Sequence, residues 1–471
     1  MRPRLGLLLL VLAVVAAGCS GSGDSAEEAT PTTTAAPDAP TGATGGDAFG
    51  RAPATPDGPL TKRLVADLET VFSNLETRFD RAAVRRIGAS GDARVAWLFS
   101  DLLRFVQVGG PAEDLVRGFE QLTGTKLARE DRELGAAWKA VTDRLITWDL
   151  PAPPGYVRFK AQLFTLVEPG WAPFFQDSGT EIDWRRVSWG GVLIDDRPFG
   201  DPAPCPQGCI PALDNPAVTD AAGGSWYPDD KVVFGVVVDG QARAYPKNIM
   251  EVHEMVNDAL GGRRIGMPYC TLCASAQAYF TDTVGEHLVL RTSGLLSRSN
   301  KVMYELNSKS VFDTFTGRAL SGPLHDDGVA LEQITVVTST WGEWKAAHPS
   351  TSIIAEDGGI GRAYPEDPLG GRDDFGPIFP TGAVDPRLLV QEQVVGVIAP
   401  DGTPLAFPAA AARADLEDGK AVELARVRLE LDGDGLRAVL DTGADVVSHQ
   451  AFWFAWSQFH PGTVVWMPPA G

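Results

Sequence analysis

Val233-Phe234-Gly235-Val236-Val237-Val238-Asp239-Gly240, followed by Ala244-Tyr245-Pro246, recurs as Val394-Val395-Gly396-Val397-Ile398-Ala399-Pro400-Asp401-Gly402, followed by Ala406-Phe407-Pro408. Each copy reads as an apolar strand, an Asp-Gly turn, a second strand and an aromatic-Pro pair that can open a helix. Asp-Gly supplies the positive φ angles of a tight hairpin, and Pro suits the first turn of a helix. The copies also end alike: Trp341, Trp344, His348, Pro349 and Thr351 share the spacing of Trp453, Trp456, His460, Pro461 and Thr463. Aromatic residues at helical steps pack cores, and a His just beyond them suits a helix end, so His348 and His460 are expected to be structural. The repeat predicts a duplicated, β-rich domain over 190–471, with copies at about 230–352 and 392–465.

Upstream the pattern changes to helical. Over 61–180, Leu64, Leu68, Val71, Phe72, Leu75 and Phe79 recur at three- and four-residue steps, as do Val95, Leu98, Phe99, Leu102, Leu103 and Val106. A third stripe is Leu134, Ala137, Trp138, Val141, Leu145 and Ile146. Such stripes place the apolar side chains on one helix face. A packed array of antiparallel helices is expected, a HEAT-like solenoid being one form, with α+β as the class of the whole chain. No metal-ligand or nucleophile pattern occurs in this region, which suits a structural or protein-docking module.

Met1-Arg2-Pro3-Arg4 and the apolar run to Val15 have the make-up of an export signal, too short to span a bilayer. Ala16-Ala17-Gly18-Cys19 resembles a bacterial lipobox, giving a signal over 1–18 and a lipid-modified Cys19; an ordinary cleaved signal is the alternative. Residues 19–60, rich in Gly, Ser, Thr, Ala, Pro and Asp, cannot bury enough surface to order, and are expected to form a tether. The expected location is the extracytoplasmic face of a bacterial cell membrane, reached through the lipid anchor alone. With 61 Asp and Glu against 41 Lys and Arg, a formal charge of -20, nucleic acid is a poor partner. Oligomeric state does not follow from these residues.

A duplicated unit carries its own control: what both copies share is fold, and what one alone carries is a candidate for function. The second copy has no counterpart of Met267-Pro268-Tyr269-Cys270-Thr271-Leu272-Cys273. Aligning Pro246 with Pro408 also sets Asp415 opposite His253 and Leu416 opposite Glu254. Ile249 to Asp258 reads as one amphipathic helix, stopped by Gly261-Gly262, with His253 and Asn257 on one face. Arg264 to Tyr269 reads as a strand entering the cysteine pair. A helix packed beside that strand can bring His253 to Cys270 and Cys273, with Glu254 as ligand or supporting group, making a soft site for copper or zinc. A structural disulfide with a backbone-bonded His is the competing reading. Arg298, Asn300 and Asp313, in the extension that only the first copy carries, are candidates to line a pocket beside the thiols, as is Asn257. Cys205 and Cys209 suit a separate disulfide or completion of a four-cysteine site.

Other motifs are weaker. A thioredoxin-like site needs a helix directly after Cys-x-x-Cys, whereas Ala278-Tyr279-Phe280-Thr281 reads as strand. Covalent haem needs His where Ala274 stands. Asp441-Thr442-Gly443 resembles the active turn of retroviral-type aspartic proteases, but the flap and core sheet such an enzyme needs after this turn do not follow.

Ile210-Pro211-Ala212-Leu213-Asp214-Asn215-Pro216, Gly240 through Tyr245-Pro246, His253-Glu254, Asn257-Asp258, Gly261-Gly262, Tyr269-Cys270-x-Leu272-Cys273 and Phe452-Trp453-Phe454-Ala455-Trp456 together resemble a bacterial family known as domain of unknown function 3179. The resemblance covers about 190–471. Thr271 and Ala274 stand where the family has Pro and Gly, and Phe312 where it favours Trp. It implies a domain and no activity. The expected function is thus a lipid-anchored envelope protein with a soft-metal site. A non-enzymatic scaffold stapled by disulfides and a thiol-disulfide oxidoreductase are the alternatives.

Overall fold

The computed structural model describes residues 49–133, 135–283, 285, 287–371 and 376–468. The export signal, Cys19, the tether as far as residue 48, and Leu134 of the third stripe lie outside the described residues. The chain divides into two compact units, Met1–Leu166 and Val167–Gly471.

The first unit is helical: α1 (Lys62–Phe72), α2 (Arg81–Gly88), α3 (Ala96–Phe105), α4 (Gly109–Thr123), α5 (Ala136–Thr147) and α6 (Tyr156–Val167). Thr61 and Asp80 cap the first two, their side-chain oxygens accepting the N–H of Leu64 and Ala83. Gly124, at φ 71°, ends α4. The apolar stripes meet inside: Leu68, Val71, Leu98, Phe99, Leu102 and Val141 are buried. Helix α2 packs on both α1 and α4, and α3 on both α4 and α5.

The second unit holds five sheets of four to six strands in a five-bladed, propeller-like arrangement. Two of these sheets, one from each copy of the repeat, match each other. The first copy contributes β1 (Val232–Val238), β2 (Gln241–Pro246), α7 (Lys247–His253), β3 (Met255–Leu260), β4 (Arg263–Cys270), β5 (Leu290–Ser297), β6 (Asn300–Glu305), β7 (Val337–Thr340), α8 (Trp341–Ala347) and β8 (Ser352–Ile354). The second contributes β9 (Gln393–Ile398), β10 (Pro404–Pro408), α9 (Ala409–Glu417), β11 (Val427–Asp432), β12 (Gly435–Leu440), β13 (Ser448–Phe452), α10 (Trp453–Phe459) and β14 (Val464–Val465). Strand order β7-β1-β2-β8 in one copy matches β13-β9-β10-β14 in the other. Unlike the meander of a propeller blade, each has β2 or β10 running parallel to its outer neighbour.

The registers agree residue by residue. Gly235 faces Ala244 and Val337, as Gly396 faces Ala406 and His449. A Cβ on Gly235 would collide with the Trp344 ring, and one on Gly396 with Trp456. The indole N–H groups donate to Thr351 Oγ1 at 3.0 Å and Thr463 Oγ1 at 3.1 Å. His348 and His460 lie against those indoles at 4.0 and 4.1 Å between centroids. The first hairpin turns on Asp239 and Gly240, both at positive φ. In the second, Pro400 lengthens the loop and Gly402 alone carries the positive angle.

One expected element is different. The helix read over 249–258 ends at His253, because Glu254 turns left-handed at φ 51°. Met255–Leu260 is instead a strand, paired from Met255↔Pro268 to Leu260↔Arg263. Gly261 and Gly262, at φ 61° and 77°, form the hairpin turn rather than a helix stop. The apolar spacing of 249–258 fits a helix, but the ladder offered by β4 outweighs that local preference.

Candidate functional site

Strand β4 ends at Cys270, Thr271–Cys273 makes a single 3₁₀ turn, and Ser275–Ala276 returns antiparallel to Tyr269 and Cys270. Cys270 and Cys273 are 1% and 0% exposed and are not bridged. Both thiols lie near one backbone acceptor, Ser299 O, at 3.7 Å from Cys270 Sγ and 3.5 Å from Cys273 Sγ.

That carbonyl comes from the two-residue turn between β5 and β6, where Ser297 pairs with Asn300. Such a turn wants positive φ at both positions and is usually Asn-Gly. Here it is Arg298 at 52° and Ser299 at 103°. With Glu254 and Ala274, four of the ten non-glycine residues at positive φ among those described surround the thiols. Strain of this kind persists where the surroundings hold it, and it clusters at functional sites.

Beside the thiols, Lys301 of β6 is buried with its ammonium 3.2 Å from Glu254 Oε2, and it also donates to the carbonyls of Glu254 and Tyr269. Thr271 Oγ1 donates to the other Glu254 oxygen at 3.0 Å. Burial lowers the Lys301 pKa, while the Glu254 carboxylate and the nearby Cys270 oppose that shift.

A pocket of about 340 Å³ adjoins this cluster. Arg298, Asn300, Lys301 and Asp313 line it together with Trp184 and Phe459. Asn300 is 2% exposed, and its Oδ1 has no hydrogen-bond partner among the described residues. Asp313 accepts the backbone N–H of Phe315 and Thr316 at 2.8 and 3.0 Å, yet burial still raises its pKa. Arg298 Nη1 donates to Gln458 O at 3.3 Å.

His253 is not brought to the thiols. Its ring is held between Pro211 O and Tyr364 OH, each at 2.7 Å, and it lines a different pocket with Arg197 and Arg362. Burial lowers its pKa to about 4. Because the helix stops at His253, the helical step to Asn257 does not exist. Asn257 instead holds the sheet, donating to Asp214 Oδ1 and Leu290 O and accepting from Leu290 N. Glu254, by contrast, reaches the thiol cluster through Lys301.

Cys205 and Cys209 form a disulfide and so do not complete a four-cysteine site. With Asp195 they make up the single group of three ligand atoms within 4.8 Å of one another among the described residues. Bridged sulfurs are not thiolate ligands, and Asp195 is already held by Arg197 at 2.7 and 3.0 Å.

The second copy supplies what the motif reading missed. Ala451, Phe454, Ala455 and Trp456 pack with both thiols and with Phe315 of the first copy's extension. His449, 3% exposed, has Gln277 Nε2 at 3.4 Å and Gln333 Nε2 at 3.3 Å from its two ring nitrogens. A neutral imidazole has one donor and one acceptor, so one of these amides must present its oxygen. The first copy has Val337 at the matching register position, an asymmetry already visible in the spacing of the two tryptophan motifs.

No curated protein and no solved structure matches the chain. Residues 207–430, from just before Cys209 to within β11, match the model of the family described as Protein of unknown function (DUF3179).

Proposed function

We propose that this is an exported, lipid-anchored envelope protein whose C-terminal unit binds a soft metal ion, with Cys270 and Cys273 as its thiolate pair. One observation carries the reading: two buried, unbridged thiols lie near a single carbonyl in a strained turn, while the chain's other close cysteine pair is bridged. Thiolates select copper(I) and zinc. A structural zinc site wants four ligands, whereas copper(I) is satisfied by two or three. With no third His, Cys, Asp or Glu atom closing on this pair among the described residues, copper(I) suits the donor set better. Lys301 and Glu254 hold the turn and balance charge around it.

The test is elemental analysis and thiol titration of protein purified from its own envelope, alongside the Cys270→Ser/Cys273→Ser variant. About one copper or zinc per chain, lost in the variant, is expected. An unchanged metal content, or a Cys270–Cys273 disulfide with no metal, would overturn the reading, and the second result would favour a thiol-disulfide oxidoreductase.

A further inference from the structure

We propose that the pocket at Asn300 binds a neutral, planar organic molecule of about two rings, gripped along an edge where an N–H stands next to a C=O, as in a cyclic amide. This site is independent of the soft-metal reading and stands whether or not the thiols hold an ion.

The floor of the pocket is one face of a sheet. Val187, in the strand Val187–Trp189, pairs with Ser297 of β5, and Ser297 in turn pairs with Asn300 of β6. Residues opposite one another in such a ladder put their side chains on the same face, as do residues two apart along a strand. Leu295, Ser297, Asn300 and Val302 therefore share a face with Val187, and all of them line the pocket. That face is apolar except at Ser297 and Asn300, which flank the Arg298-Ser299 turn at positive φ.

Asn300 is the group that calls for a ligand. It is 2% exposed, yet neither end of its side-chain amide makes a hydrogen bond among the described residues. A buried polar group without a partner is rare in a folded protein, and it marks a place where something outside the chain completes the bonding. The amide offers N–H donors beside a carbonyl acceptor, and its soft χ2 torsion lets it present either end. The complementary edge is another amide, whose C=O and N–H meet the first in a paired contact. An open secondary amide is trans and points the two groups apart, whereas ring closure holds them cis on one edge.

Charge and shape set the rest. The lining carries Glu181, Asp183 and Asp313 against Arg186, Arg298 and Lys301. Asp183 holds Arg186 at 3.1 Å, Glu181 holds Arg318 at 3.0 Å, and Lys301 meets Glu254 at 3.2 Å. Neither sign is in excess, and an uncharged occupant needs no counter-ion in such a place. Trp184 and Phe459 supply flat walls. Their rings stack on Phe175 and Phe315, at 4.0 and 4.7 Å between centroids, which fixes them before anything binds. Preset aromatic walls take a flat ring system at little cost in ordering. The volume of about 340 Å³ is roughly twice that of a cavity that holds one benzene.

The experiment titrates the full chain by calorimetry with 2-quinolone and with coumarin. The two probes share one bicyclic outline, but coumarin has a ring oxygen where 2-quinolone has its N–H. The expected result is one 2-quinolone per chain, bound about tenfold or more tightly than coumarin, because a site built to pair an N–H rejects the analogue that lacks it. In Asn300→Leu, close in volume but without the amide, that preference should shrink to about twofold or less. No binding of 2-quinolone to the wild type, the outcome if water alone completes the Asn300 amide, would overturn the proposal, as would equal binding of the two probes. A preference that survives in Asn300→Leu would overturn the role of Asn300. The wild-type comparison decides the chemistry even if Asn300→Leu fails to fold.

Discussion

Lys301 and Glu254 form a buried pair, their side chains 4% and 12% exposed, and they fix the turn that carries Cys270 and Cys273. Removing one partner of a buried pair leaves the other charge without compensation, which costs on the order of 3–5 kcal/mol, more than the pair's net contribution. Lys301→Met is therefore expected to lower unfolding free energy by about 3 kcal/mol. Adding Glu254→Gln should recover at least half of that loss, since the orphaned charge then disappears. Denaturant unfolding of the two single variants and the double closes the cycle. Losses that merely add would show that the two side chains do not act as a pair.

At the scale of elements, the repeat was legible because its signals are local: Asp-Gly turns, apolar runs and tryptophans at helical steps. The same signals explain the strict pairing of Gly235 with Trp344 and Gly396 with Trp456, since only a residue lacking a side chain admits the indole against the strand. Gly235→Ala and Gly396→Ala should each destabilise by about 1–3 kcal/mol through overpacking, measured as a lower denaturant midpoint at unchanged slope. If either is tolerated, the indole is not seated as tightly as the matched geometry requires. What was not legible was tertiary. The run 249–258 has helical spacing, and nothing inside it reveals that β4 will pair with its second half. His253, sought as the partner of the thiols, is held instead between Pro211 O and Tyr364 OH, a tertiary placement to which no local pattern points. His449 was within reach of sequence reasoning, since counting back from Trp453 as from Trp341 sets it against Val337.

Taken whole, the C-terminal unit buries imidazoles in the neutral form, and this dictates how its stability responds to acid. Burial lowers His253 from 6.5 to about 4 and His449 to about 3. For each, the folded state takes up a proton less readily than the unfolded state. Below about pH 6.5 the unfolded chain gains protons that the folded chain refuses, so stability is fully present above that value and falls as pH drops toward the folded pKa. By pH 4.5 the loss is roughly 2–3 kcal/mol for each of the two. Asp313 acts with the opposite sign, because its raised folded pKa means that acid neutralises it in the folded state first. Carboxylates held low by arginine, such as Asp282 beside Arg263, add their losses only below the usual carboxylate range. Between pH 6.5 and 4.5 the histidines therefore set the slope. Urea midpoints measured at pH 7.5, 6.0 and 4.5 should decline steadily, and His449→Val, which installs the first copy's residue at that place, should give a shallower decline. A wild-type midpoint that stays level over this range would falsify the neutral burial of these rings. An unaltered slope in His449→Val would assign the proton uptake to His253 and the remaining groups.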